Sequence, residues 1–305
     1  MSFYLINTSD ERTWPKNQKI LFLGEWCLKN SRKHKWENLN YILCKPHLSI
    51  KKDRVSSVEE IFNLAKKFLP KVVNALNKFH RTNFSNRYWE ILIGHWLIRF
   101  ISTVHNRYYT LQNAIDNYDI SNVTFLQSKN YKLASLDTLS SIYSSNCEIW
   151  NNIIFLKLFD YFGNKNIKVD YVNISDENFS NLNLLKQEFS LKKNIKKILI
   201  GLSSKITRDK DAVIYGSYLS IISEIKLNLF FRQFPFQCNE SKYDLTFNYK
   251  RKDLSLFNEV SDKSLFQFLN KIIFSAIPVA YVENFSKVQP IITNLEWPKN
   301  PKFIF

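Results

Sequence analysis

Short runs of β-forming residues, set apart by long stretches with helical spacing, constrain this chain more than any other feature. Lys19–Gly24 (KILFLG), Asn122–Gln127 (NVTFLQ), Lys168–Val172 (KVDYV), Lys196–Leu202 (KKILIGL), Ile277–Val282 (IPVAYV) and Lys302–Phe305 (KFIF) each have the character of a strand interior. Between them, Val58–His80 repeats apolar residues at helical spacing, with a kink or break expected at Pro70. Ser85–Tyr118 predicts a second long helix, capped by Ser85 and bent near Gly94, so that about 56–118 forms a helical hairpin region. Asp262–Ala276 predicts a further helix with Ser261 or Asp262 as its cap, and the polar, Asn-rich Ser175–Gln187 predicts a loop. Strands alternating with helices imply an α/β fold with a mainly parallel sheet flanked by helices.

Glycine usage then removes whole classes of function. The 305 residues include only 5 glycines, at positions 24, 94, 163, 201 and 216. A GxGxxG fingerprint or a P-loop needs several glycines close together to let phosphate approach the backbone, so both are excluded. Cys27, Cys44, Cys147 and Cys238 form no CxxC pair, which argues against a zinc site and a redox dithiol, and no metal or other cofactor is implied. The N-terminus lacks the charged and apolar regions of a signal peptide. The most apolar run, Tyr88–Ile101, is too short to span a bilayer and carries Glu90, His95 and Arg99. A cytoplasmic protein is the expectation.

The formal charge of +16 invites a basic nucleic-acid-binding module. The excess comes from 33 Lys against 10 Arg, is spread along the chain, and accompanies 33 Asn, a mixture that an AT-rich genome produces unaided. Its tightest cluster, Lys192–Lys197 (KKNIKK), reads as a solvated lead-in to a strand. Nucleic acid is therefore the weaker alternative partner, and a pull toward anionic membrane surface or phosphorylated substrate is the better use of the charge.

Candidate chemistry starts at Leu23–Cys27 (LGEWC), directly after a strand, where ligands bind in open α/β sheets. Gly24 would let backbone approach a ligand, and Glu25 is a candidate general base, set against a plainer role as a helix cap with Trp26 in the core. Along the second long helix, His95, Arg99, Ser102 and Asn106 share one stripe, which either faces water, the commoner outcome, or lines a cleft. Arg87 and Arg107 at its two ends suit phosphate or carboxylate, or structural ion pairs. His47, in KPHL, stands alone. One internal echo exists: Trp14-Pro15-Lys16-Asn17 recurs as Trp297-Pro298-Lys299-Asn300, each followed by a Lys and a strand-like run.

Leu5–Cys27, Lys45–Arg54, Phe68–His80 with Phe84–Leu97, Ile277–Phe285 and Trp297–Phe305 together resemble the transferases encoded in bacterial O-antigen and surface-polysaccharide gene clusters, a family typified by a Leptospira protein. The segments come in the same order, and the middle, about 125–260, matches poorly. The resemblance implies the N-terminal lobe of a two-lobed, GT-B-like glycosyltransferase. Residues 1–292 would be that lobe, and 293–305 the first strand of a second α/β lobe with a Gln-His-Gly motif. It also implies a nucleotide-sugar donor, a saccharide or polyprenyl-linked acceptor, peripheral contact with the inner membrane, and a possible separate polypeptide for the second lobe. An inactive remnant or one subunit of a split transferase is the alternative. By position, the site residues implied are Glu25 as the catalytic carboxylate and Gly24, Trp26, Arg87, His95, Arg99 and Arg107 as substrate-binding. The chain departs from the family's pattern at His95, where Pro is usual, and at Asn106-Arg107, where Asp-Arg is usual.

Overall fold

Strand β1, Phe3–Ile6, lies at the centre of a five-stranded, wholly parallel sheet in the computed structural model. The structure describes residues 2–47, 51–128, 132–163, 166–174, 206–214, 217–235, 245, 256–257, 262–295 and 297–304. β2 (Ile20–Phe22), β3 (Tyr41–Leu43), β4 (Ile120–Gln127) and β5 (Lys168–Asn173) complete the sheet in the order β3-β2-β1-β4-β5. Leu5, Ile6, Ile20, Leu21 and Phe22 are all buried, as expected of central parallel strands covered on both faces. The α/β architecture with a parallel sheet and flanking helices is as the sequence implies.

Parallel strands require crossovers, and most of the chain between β3 and β4 is one helical hairpin. A short helix, α1 (Lys33–Trp36), precedes β3. Then α2 (Lys51–His80) continues without interruption through Pro70, and α3 (Asn86–Asn117) through Gly94, so neither helix is broken there. Tertiary packing outweighs the local penalty: Phe68, Val72 and Val73 around Pro70, and Ile93 and Trp96 around Gly94, are all buried. Asn77 clasps the turn between the helices. Its Oδ1 accepts from Phe84 N (3.1 Å), Thr82 Oγ1 (3.0 Å) and Trp89 Nε1 (2.9 Å), and Ser85 caps α3 by accepting from Tyr88 N.

Two further helices, α4 (Thr138–Asn146) and α5 (Glu148–Phe162), lie between β4 and β5; α5 packs on β4, and both pack on α3. Gly163 ends α5 in the left-handed conformation (φ 67°) that glycine adopts at little cost. Among the described residues, those at 1–183 and 246–284 form one compact unit, which also includes α7 (Leu265–Ala276), and those at 184–245 and 285–305 form a second. The second contains α6 (Ile221–Phe230) and α8 (Phe285–Thr293), with Gln233 bonding both backbone groups of Ala212.

Three expectations are corrected. Ile277–Val282 is no strand: Val279–Tyr281 is a 3₁₀ turn whose Val279 and Ala280 amides donate to Ser135 and Leu136 carbonyls, so an apolar run is buried without joining a sheet. The cap of α7 is Ser264, because the Tyr108 and Tyr161 hydroxyls hold the carbonyls of Lys263 and Asp262 in the extended lead-in. Of the run 302–305, the described residues make one parallel bridge, Val213 with Ile304. Lys192–Leu202 and Ser175–Gln187 lie outside the described residues.

Beyond the end of the β1 ladder, the buried side chain of Asn152 takes the place of a neighbouring strand for Leu126. Its Oδ1 accepts from Leu126 N (3.1 Å) and its Nδ2 donates to Leu126 O (2.7 Å). Asn152→Leu should leave both backbone groups unmet at a cost of about 2–4 kcal/mol. Thermal unfolding checks it; an unchanged melting temperature would mean the sheet edge is satisfied some other way.

Candidate functional site

The chain passes from β1 outward through β2 to β3, then returns to the opposite side of β1 for β4, so the connectivity reverses between β1 and β4. In open α/β sheets this is where a crevice forms beyond the carboxyl ends of the strands. β1 runs there into Asn7-Thr8-Ser9, and β2 into Leu23-Gly24-Glu25-Trp26.

Trp26 ties these loops together. Its Nε1 donates to Asn7 O (3.0 Å), its ring stacks on Phe155 of α5 (6.0 Å, 8°), and the Arg107 guanidinium of α3 sits 5.5 Å from the indole centroid. A β-carbon on Gly24 would fall 1.9 Å from the Trp26 ring. Gly24 is therefore required by its own neighbour, and the space beside it is already taken. Glu25 begins a 3₁₀ turn, Glu25–Cys27, and its exposed carboxylate has no partner among the described residues.

Arg107 is the unusual member. Nε donates to Asn151 Oδ1 (2.8 Å) and one terminal nitrogen to Asn106 Oδ1, both neutral amides, and no carboxylate pairs with it among the described residues. Burial pulls its pKa down to about 10, so it stays cationic at neutral pH. A guanidinium partly withdrawn from water without a counter-charge carries a cost, and an anionic ligand would offset it. Asn106, where the resemblance expects Asp, is the residue that leaves this charge open. Nearby in the fold, two buried acceptors of the β1 loop, Asn7 Oδ1 and Ser9 Oγ, also have no partner among the described residues.

Glu148, at the start of α5, shows the opposite arrangement. Its carboxylate accepts from Thr8 Oγ1 (2.5 Å), the Ser9 amide and Lys29 Nζ (3.0 Å). Burial alone would raise its pKa, but the hydrogen bonds from Thr8, Lys29 and Ser9 together hold it below the usual range. It positions the β1 loop.

The structure thus gathers Gly24, Trp26 and Arg107, with Glu25 on the same loop. It does not gather the rest. Arg87 is exposed and ion-paired with Glu90 (2.9 Å), about 30 Å along α3 from Arg107 at the helical rise per residue. His95 accepts from Arg99 Nε (2.9 Å); both are exposed, two to three turns before Arg107, so the N-terminal part of the polar stripe faces water. Sequence reasoning missed Asn7, Ser9, Glu148 and Asn151. The only signal was the polar Asn7-Thr8-Ser9 following Phe3–Ile6, a run too short to be read as a strand.

A second polar cluster lies beyond β3. His47 Nδ1 meets Thr110 Oγ1 (3.3 Å), its ring stacks on Tyr109, and His105, buried, meets Glu60 Oε2 (3.1 Å). Desolvation, with the neighbouring His105, lowers the His47 pKa to about 4 despite Asp53. Among the described residues, no group of His, Cys, Asp or Glu is placed to hold a metal ion.

Two outcomes are expected. Gly24→Ala must displace the indole, with a red-shifted tryptophan emission and a loss of about 1–3 kcal/mol of stability. Unchanged emission would show that the loop absorbs the methyl. For His47, the depressed folded pKa means stability is fully present above the unfolded value near 6.5 and is lost as pH falls toward 4. His47→Gln should flatten the decline of melting temperature across that window, and parallel curves would remove His47 as its cause.

No curated protein and no solved structure matches the chain. The family model described as the LIC12162 family transferase matches residues 3–305. With a match along that whole span, the chain belongs to the LIC12162 family of transferases.

Proposed function

We propose that this transferase is a glycosyltransferase of surface-polysaccharide (O-antigen) assembly, and that the crevice between β1 and β4 receives the phosphoryl group of its substrate. The observation that carries the reading is Arg107: a partly buried cation at the switch point of a parallel sheet, with no carboxylate partner among the described residues, held ready by neutral amides and an indole. Groups that leave as diphosphate develop negative charge in the transition state, and a fixed, oriented cation favours that charge. A nucleotide-sugar donor and a saccharide or polyprenyl-linked acceptor suit this chemistry.

In the step envisaged, the acceptor hydroxyl loses its proton to Glu25 as its oxygen bonds the anomeric carbon. The bond from that carbon to the diphosphate breaks, and the electron pair leaves with the diphosphate toward Arg107. Glu25 suits the role because its carboxylate has no partner among the described residues, on the loop whose Trp26 faces Arg107. A second, GT-B-like lobe would supply the nucleotide's remaining contacts, and the lysine excess would favour anionic lipid carriers at the inner membrane. Among the described residues no helix is long and apolar enough to cross a membrane.

The test is direct binding followed by turnover. The protein should bind inorganic pyrophosphate and a nucleotide-sugar, and Arg107→Gln should weaken pyrophosphate at least tenfold, about 1.4 kcal/mol. Glu25→Gln should abolish transfer while leaving the melting temperature unchanged. Equal pyrophosphate binding by wild type and Arg107→Gln would remove the phosphate site from this crevice.

A further inference from the structure

One turn of α3 before Arg107, a cavity of about 120 Å³ opens between α3 and α4. Its apolar wall is Trp96, Phe100 and Trp150; Thr103, Ser141 and Ser145 bring hydroxyls to it, and Arg99 stands beside them. Asn151 joins it to the Arg107 crevice: the same side chain accepts from Arg107 Nε and donates to Ser145 O (2.9 Å).

The hydroxyls have a common state. Thr103 Oγ1 donates to Arg99 O (2.9 Å), Ser141 Oγ to Thr138 O (2.7 Å) and Ser145 Oγ to Ile142 O (2.7 Å). Each proton is committed to a carbonyl of its own helix, so each oxygen offers the cavity only lone pairs. Arg99 spends Nε on His95, and its terminal nitrogens have no partner among the described residues. With Ser102, whose hydroxyl has no partner among the described residues, the cavity presents several acceptors, one hydroxyl able to donate or accept, one cationic donor and an aromatic wall. That pattern complements a ring that carries many hydroxyl donors around an apolar face, and a volume of about four waters admits part of one such ring.

We propose that the α3–α4 cavity is a carbohydrate subsite, seating part of one pyranose ring of the substrate whose anionic group lies on Arg107. It rests on the phosphate reading of the crevice, with Thr103 and Asn151 bridging the two. Arg99, which stands apart from the crevice, acquires a place as the cavity's cationic donor.

The experiment uses the whole chain with its seven tryptophans labelled as 5-fluorotryptophan, the ¹⁹F resonances of Trp26, Trp96 and Trp150 being assigned by Trp→Phe variants. The probes are inorganic pyrophosphate and, separately, the methyl glycosides of glucose, galactose and N-acetylglucosamine. A single ring is expected to bind in the millimolar range. At least one glycoside should shift Trp96 and Trp150, and Thr103→Val, which keeps the shape and removes one acceptor, should weaken that binding about fivefold or more. Pyrophosphate should shift Trp26. If pyrophosphate shifts Trp26 but no glycoside at high millimolar concentration shifts Trp96 or Trp150, the subsite is overturned and the crevice reading stands. If glycosides act but pyrophosphate leaves Trp26 unmoved, the crevice reading falls and the cavity remains as an independent sugar site. Equal glycoside binding by Thr103→Val would overturn the assignment of the hydroxyls.

Discussion

Parallel pairing is the constraint on which the rest depends. Each parallel neighbour must be reached by a crossover, and between β3 and β4 the chain spends two helices, Lys51–His80 and Asn86–Asn117, on one such journey. α3 then packs on α2, α4, α5 and α7, so much of the first unit's packing rests on it, and in the function proposed it also carries the cation. Its buried face holds Trp89, Trp96, Leu97 and Leu111, while Arg107 reaches the carboxyl edge of the sheet. A helix this firmly packed can hold a cation where a loop would let it turn to solvent.

Two charges in the crevice show how the same fold treats opposite needs. Glu148 is neutralised by Lys29 and satisfied by Thr8 and Ser9, so it fixes the loop after β1 and offers nothing further. Among the described residues Arg107 is hydrogen-bonded to amide oxygens, which orient the guanidinium without cancelling its charge. Orientation without neutralisation is what a site for an anion requires. The indole of Trp26 contributes at low cost, since its N–H is already satisfied by Asn7 and its ring is already stacked on Phe155.

Much of the fold was legible because it rests on periodicity. β2, β4, β5 and the α2–α3 hairpin follow from alternation and helical spacing, and Ser85 is the cap that the sequence names. β1 was not legible, being four residues at the start of the chain; nor was α5, apolar on nearly every side and without an amphipathic period. Ile277–Val282 misled for a related reason: an apolar run records burial, and burial alone does not decide between a strand and a packed turn.

By itself the sequence determined the α/β class and the absence of glycine-rich phosphate loops, because local spacing and turn chemistry act between near neighbours. Only the tertiary structure decided which charges are compensated. Arg87 and Arg107 look alike in the sequence, yet Arg87 is exposed and paired with Glu90, whereas Arg107 is half-buried against Asn151, forty-four positions away, with no carboxylate beside it among the described residues. Burial and pairing are properties of segments distant in the chain, and the sheet order that brings Asn7, Trp26, Arg107 and Asn151 to one edge is fixed by packing that no local pattern encodes.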